Sequence, residues 1–321
     1  MAIPDFAGEG VLVTGGAGFI GSHLVDALVE RRGCVRVLDD LSSGTLGNLA
    51  THADTIELHR GDIRDVDACR RACDGVRWVF HLAALGSVPR SIEDPASSIA
   101  VNVTGTANVF AAAREAGVRR IVYASSSSVY GDDPRLPKRE GEEGALLSPY
   151  AASKAMGEQL AATFARSYGQ ELVGLRFFNV FGPRQSPDGP YAAVVPRFVA
   201  AARRGEPMEI HGDGEQSRDF TYVTDAVEAA LLAAGAPASA CGRAYNVAGG
   251  ERVTMNQLAA RLAELSGSRV PPIHVAPRPG DVRHSLADLT ATREQLGYAP
   301  RVPVAEGLER LWRTASAESP Q

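Results

Sequence analysis

Val11-Leu12-Val13-Thr14-Gly15-Gly16-Ala17-Gly18-Phe19-Ile20-Gly21 decides how the first half of the chain is read. The run Val11 to Thr14 predicts a buried strand, and Ile20, Leu24 and Leu28 then mark one face of a helix directly after the glycines. The same texture continues outward. Runs at Val35 to Asp39, Thr55 to Leu58, Val76 to Ala83, Arg120 to Ser125 and Glu171 to Phe178 predict further strands. The stretches from Pro95 to Gly117 and from Pro149 to Gly169 predict long helices. Such alternation implies an α/β fold, a doubly wound parallel sheet with helices on both faces over roughly residues 1–180. The loop Gly182-Pro183-Arg184-Gln185-Ser186-Pro187-Asp188-Gly189-Pro190 then breaks the pattern. Residues 181–321 predict a smaller mixed α/β lobe, with the chain returning to the sheet at about 219–248.

Composition narrows the partner. The 321 residues are 45% hydrophobic and 22% charged with a net charge of -5, which suits a soluble globular protein and offers no basic field for nucleic acid. No apolar run is long enough for a membrane span, and the first strand is reached without a signal-like segment. Cys34, Cys69, Cys73 and Cys241 form no C-x-x-C pair, so no metal is expected and a reducing cytoplasm fits best. A small molecule is the expected ligand.

The glycines point to which one. Gly15, Gly18 and Gly21 sit where a tight turn and close backbone approach are needed, and the helix opening at Phe19 and Ile20 presents free N–H groups to a pyrophosphate. Asp39 ends the next strand, where a carboxylate accepts hydrogen bonds from an adenosine ribose and repels a 2'-phosphate. This favours NAD over NADP. Asp40 is the next polar group and is placed toward the adenine. Asp62 and Ile63, after the third strand, either close over the adenine ring or simply begin a helix with Asp62 as its N-cap.

Tyr150 and Lys154 stand one helical turn apart on a predicted helix. The chain has two lysines and eight tyrosines, so chance gives this pair only about one time in twenty. Ser125 to Ser128 lie at the carboxyl end of the preceding strand, the edge where open parallel sheets bind ligands. Removing a hydroxyl proton while hydride leaves the same carbon needs a base near the working pH. The Lys154 ammonium favours a tyrosine phenolate, and Ser126 or its neighbour Ser127 can relay the proton.

Together these motifs resemble the extended short-chain dehydrogenase/reductase family, specifically its UDP-sugar 4-epimerases. The likeness runs from about Gly10 to Trp312 through His81-Leu82-Ala83-Ala84, Arg176-Phe177-Phe178-Asn179, Gly212-Asp213-Gly214, Arg218-Asp219-Phe220 and Arg278-Pro279-Gly280-Asp281. It implies a Rossmann sheet, NAD as cofactor with Leu82, Ala83 and Ala84 beside it, and a UDP-sugar as substrate. Asn179 would contact the sugar diphosphate, Arg218 and Arg278 would neutralise its phosphates, and Asp281 would hold the uridine ribose. In the implied cycle Tyr150 takes the 4-hydroxyl proton, carbon 4 gives hydride to NAD, and the 4-keto sugar turns and takes the hydride back. The two long helices would pair across a two-fold axis into a homodimer.

Finer features choose within the family. Dehydratases and decarboxylases carry acidic residues after the active-site Ser or Thr, whereas this chain has Ser127 and Ser128. Ser285 matches a position that is bulky in hexose-restricted relatives and small in N-acetylhexosamine epimerases. The loop containing Ser87 and the run containing Ala193 and Val194 also resemble the branch acting on UDP-N-acetylglucosamine and UDP-N-acetylgalactosamine. That pair is favoured. UDP-glucose/UDP-galactose, UDP-glucuronate paired with an arginine such as Arg90, and a non-catalytic dinucleotide sensor are the alternatives.

Overall fold

Period-two alternation sorts the first strand: Val11 and Val13 pack on one face of the sheet and Leu12 on the other, all fully buried. The computed structural model describes residues 2–189, 192–277 and 282–317. Strands β1 (Gly10–Thr14), β2 (Cys34–Asp39), β3 (Glu57–Arg60), β4 (Trp78–His81), β5 (Arg120–Ser126) and β6 (Glu171–Phe177) come first. Between them lie α1 (Phe19–Glu30), α2 (Val66–Cys73), α3 (Val88–Glu93), α4 (Pro95–Ile99), α5 (Thr106–Glu115) and α6 (Pro149–Tyr168). Later strands are short: β7 (Val180–Phe181), β8 (Glu209–His211), β9 (Ser217–Asp219), β10 (Thr221–Tyr222), β11 (Arg243–Val247), β12 (Arg252–Thr254) and β13 (Ile273–Val275). They are interspersed with α7 (Val194–Arg204), α8 (Val223–Ala234), α9 (Met255–Ser266), α10 (Thr290–Leu296) and α11 (Val304–Ala317).

The seven-stranded sheet runs β3-β2-β1-β4-β5-β6-β11 and every pairing in it is parallel. It is a Rossmann sheet. Its last strand comes late, after α7 and α8, and α8 packs on α1, β5 and β6. Arg120 ties this return in place by donating to the carbonyls of Ala233 and Ala234, at 3.3 and 2.9 Å, where α8 ends. One face of the sheet is covered by α1 and α8, the other by α2, α5 and α6, and each fully buried aliphatic side chain contributes about 1.5–3 kcal/mol. A third apolar cluster, including Phe181, Phe198, Phe220, Tyr222, Leu258 and Leu308, lies among the later elements. No described helix is long and apolar enough to cross a membrane.

Two expected elements differ. The third strand lies at Glu57–Arg60, later than Thr55 to Leu58, because β2 aligns Asp39 with Arg60 and an edge strand with exposed residues carries no apolar pattern to locate it. The helix expected from Pro95 to Gly117 is divided by a wider π-type turn at Ala100–Gly105. Asn102 accounts for it: its buried amide accepts from Leu85 N–H at 2.8 Å and donates to Leu85 O at 3.2 Å and Ser153 Oγ at 3.0 Å. In contrast α6 is one unbroken helix, capped by Ser148 and ended by Gly169 at φ 66°.

Candidate active site

The carboxyl ends of β1, β2 and β4 meet around the glycine loop. Gly15 has φ 70°, its N–H donates to Leu38 O at 2.8 Å, and a Cβ there would lie 2.7 Å from Ala83 N. At Gly21 a Cβ would lie 2.1 Å from Gly15 O. Gly18 supplies no side-chain cap to α1 and the first turn, from Phe19 and Ile20 onward, has no acidic residue. The helix therefore presents an electropositive end uncompensated by its own side chains. Asp39 is buried beside the loop, accepting from Ala17 N–H at 2.9 Å and Leu41 N–H at 2.8 Å. Burial pushes its carboxyl up and these two donors pull it back. Each oxygen keeps a lone pair for a further donor.

Asp40 is exposed and accepts from Ser42 N–H at 2.9 Å. Asp62 is not a helix cap: α2 is capped by Asp65, while the Asp62 carboxylate is gripped by the Arg64 guanidinium at 2.5 Å, which lowers its pKa. Ile63 is buried, its side chain filling the space where Gly105 has no Cβ. Leu82, Ala83 and Ala84 are partly buried, and Leu82 N–H donates to Thr14 O at 3.0 Å.

Preceding them, buried His81 lies between Thr14 Oγ1 (2.7 Å from Nδ1) and Thr106 Oγ1 (2.9 Å from Nε2). Thr106 spends its proton on Asn102 O at 2.6 Å, so it accepts from Nε2–H and leaves Nδ1 to accept from Thr14. Burial and the nearby Lys154 cation hold His81 neutral, its pKa depressed to about 3.

Tyr150 enters on the first turn of α6, where its N–H donates to Ser91 Oγ at 3.0 Å. Its buried phenol faces Ser126; burial pushes the phenol's pKa up and the Ser126 hydroxyl pulls it down. One turn on, Lys154 Nζ donates to Ala124 O at 2.9 Å and lies 5.9 Å from the centre of the Tyr150 ring. Burial lowers Lys154 to about 8, opposed by Glu158, so the ammonium still dominates at neutral pH. Of the two serines considered, Ser126 makes the contact with Tyr150. Ser127 opens the short 3-10 turn that follows.

A second group forms across the sheet edge. Asn179, at φ 32°, donates from Nδ2 to Asp219 O at 3.0 Å. Arg218 on β9 donates to Ser217 O at 2.9 Å and Arg283 O at 3.2 Å. Ser285 N–H donates to the same Ser217 O at 3.1 Å, and its buried hydroxyl makes no hydrogen bond among the described residues. Ser87 caps α3, whereas Ala193 precedes α7 and Val194 begins it without a side-chain cap. Arg278 and Asp281 lie outside the described residues.

Residues 11–248 match the NAD dependent epimerase/dehydratase family. The chain belongs to it. A UDP-glucose 4-epimerase of Mycolicibacterium smegmatis is 42% identical over 303 residues, covering 93% of this chain and 96% of the relative. A UDP-N-acetylglucosamine 4-epimerase from Methanobrevibacter ruminantium, solved with UDP-N-acetylmuramic acid, superposes with a TM-score of 0.92 at 38% identity. That match covers 98% of this chain and 100% of the other. A Thermus thermophilus UDP-glucose 4-epimerase solved with NAD gives 0.87 at 35% identity, covering 97% and 100%.

As a member of the epimerase/dehydratase family the protein is an enzyme and NAD is its cofactor. The glycine loop fits that dinucleotide, because the missing Cβ atoms at Gly15 and Gly21 let backbone N–H groups close on a pyrophosphate at the α1 terminus.

The family fold also assembles residues that sequence reasoning passed over. Fully buried Asn246 on β11 accepts from Tyr130 OH at 2.7 Å and donates to Lys138 O and Asp288 O, both at 3.0 Å. Asp219 accepts from Gly250 N–H and Ala287 N–H, both at 3.0 Å, and burial drives it up to about 7. A lone Asn in a strand sends no signal in sequence. Asp219 lay within a noted motif, but only the fold reveals that it clamps the segment carrying Ser285.

Proposed function

We propose that this protein is a UDP-sugar 4-epimerase that prefers the UDP-N-acetylglucosamine/UDP-N-acetylgalactosamine pair and also accepts UDP-glucose/UDP-galactose. The contact of Tyr150 with Ser126, beside the Lys154 ammonium, carries the reading. Tyr150 takes the proton of the sugar 4-hydroxyl, Ser126 orients that hydroxyl, and Lys154 stabilises the phenolate. Bound NAD supplies the acceptor, and later the donor, of the carbon-4 hydride. After the 4-keto sugar has turned, Tyr150 returns the proton to its oxygen. Asn179, Arg218 and Arg278 hold the diphosphate, and Asp281 the uridine ribose, while the sugar moves.

Epimerisation rather than dehydration is supported by Ser127 and Ser128, and by the commitment of the Glu143 and Glu158 carboxylates to Arg176. Neither acid is left to take a carbon-bound proton. The N-acetyl preference is supported by the small, buried Ser285, held against Ser217 near Arg218. The working unit is a homodimer formed through α5 and α6, the latter exposing Met156 and Tyr168. Incubating the NAD-loaded protein with a panel of UDP-sugars and resolving the products tests the whole reading. Interconversion of the N-acetylhexosamine pair at the highest kcat/KM is expected; turnover of UDP-glucuronate alone, or of none, would overturn it.

A further inference from the structure

On α6, Tyr150, Lys154 and Glu158 follow at successive turns and share one face. Each meets a consecutive residue at the end of β5. Tyr150 meets the Ser126 hydroxyl, Lys154 the Ala124 carbonyl and Glu158 the Ser125 hydroxyl, the last at 2.5 Å. Glu158 also reaches the neighbouring strand, accepting from Arg176 Nε at 2.9 Å and Nη2 at 2.7 Å. Ser125 and Arg176 are register partners in the β5–β6 pairing, so one carboxylate bridges two strands at a single level. Arg176 in turn holds Glu143 at 2.5 Å from the loop before α6. Both Ser125 and Arg176 are buried.

We infer that Glu158 is a positioning residue for catalysis, fixing the register of the base helix against the strand ends and placing a negative charge one helical turn from Lys154. The inference rests on the assignment of Tyr150 and Lys154 as the base pair proposed above. A bidentate carboxylate–guanidinium pair is directional, so it sets the helix's rotation as well as its distance from the sheet. The groups facing Lys154 are Tyr150 and Glu158 from its own helix and His81 from β4. His81 is neutral, leaving Glu158 as the anion that favours the charged lysine. Behind Glu158 stand Arg176 and the un-ionised Tyr123. Replacing Glu158 by glutamine therefore removes the compensating anion that faces Lys154 among the described residues and leaves the Arg176 cation less neutralised. Both changes push Lys154 toward its neutral form.

The test is the pH dependence of turnover for NAD-loaded wild type, Glu158→Gln, Glu158→Asp and Tyr150→Phe, with UDP-N-acetylglucosamine and UDP-glucose as substrates. Glu158→Gln is isosteric. It is expected to lower kcat by about 10-fold or more with KM within about threefold, and to move the alkaline limb of kcat down by about one pH unit. Glu158→Asp keeps the charge but cannot reach Ser125 and Arg176 together, so kcat falls several-fold while the alkaline limb stays close to that of wild type. A Glu158→Gln enzyme with wild-type kcat and pH profile would overturn the inference. Should that variant not fold, Glu158→Asp with wild-type kcat would do the same. Substantial activity in Tyr150→Phe would instead fault the base assignment itself.

Discussion

Replacing Gly21 by alanine sets two effects against each other. Gly21 lies inside α1, where alanine ordinarily stabilises a helix by about 1 kcal/mol. At this site the new Cβ would lie 2.1 Å from Gly15 O and 2.8 Å from Gly16 Cα. Both are backbone atoms, so no side chain can swing aside, and the loop must retreat by about 1 Å to regain ordinary contact. Gly15 is tied by its N–H to Leu38 O and packed against the backbone of Ala83, so the retreat opens the loop itself. Overpacking of this kind costs about 1–3 kcal/mol, which exceeds the propensity gain. If the cost falls on the bound form, NAD affinity drops by about 5- to 150-fold. The assay is NAD titration with thermal unfolding, and Gly47→Ala serves as control because its Cβ would approach only Thr45 Oγ1, at 3.7 Å. Wild-type NAD affinity and melting temperature in Gly21→Ala would refute the reasoning.

Asp39 should make NADP bind at least about 10-fold more weakly than NAD, and comparable affinities in direct titrations would show that its carboxylate does not face the ribose. Tyr150→Phe should lower kcat by about 10²- to 10⁴-fold with UDP-sugar binding nearly intact, measured by calorimetry and turnover; full activity would move the base elsewhere. Ser285→Tyr should cut UDP-N-acetylglucosamine turnover by about 10-fold or more relative to UDP-glucose, and an unchanged ratio would refute the steric reading. Because His81 stays neutral when folded, with a pKa near 3 against the ordinary 6.5, its stabilising contribution is complete above pH 6.5 and is lost as pH falls through that value. It should remove about 2 kcal/mol between pH 6.5 and 5, seen in denaturant melts, and a His81→Gln chain retaining the same slope would assign it to other groups.

What was legible in sequence was local. Gly15 to Gly21 and the Tyr150–Lys154 pair announce themselves because each lies within one loop or one helix, where spacing along the chain alone sets which residues share a face. The sheet followed from strand–helix alternation, and β3 was misplaced because an exposed edge strand has one neighbour and no apolar face. Residues that act through distant pairing stayed silent. Asn102 matters through its bonds to Leu85 and Ser153, Asn246 through the arrival of β11, and Glu158 through the register of β5 against β6. None of these depends on a short repeat, so no window of sequence contains the signal.

The late position of β11 bears on how the protein comes into being. During synthesis β6 emerges with its outer edge unpaired, and Val173 and Leu175 wait for α8 and β11. Until residue 247 has been made, the nascent sheet exposes an apolar edge of the kind that pairs with other chains. Residues 1–180 made alone would therefore be an aggregation-prone fragment rather than a small NAD-binding protein. By the same logic, halves made separately on either side of the loop after Gly182 would have to restore the β6–β11 pairing between two chains.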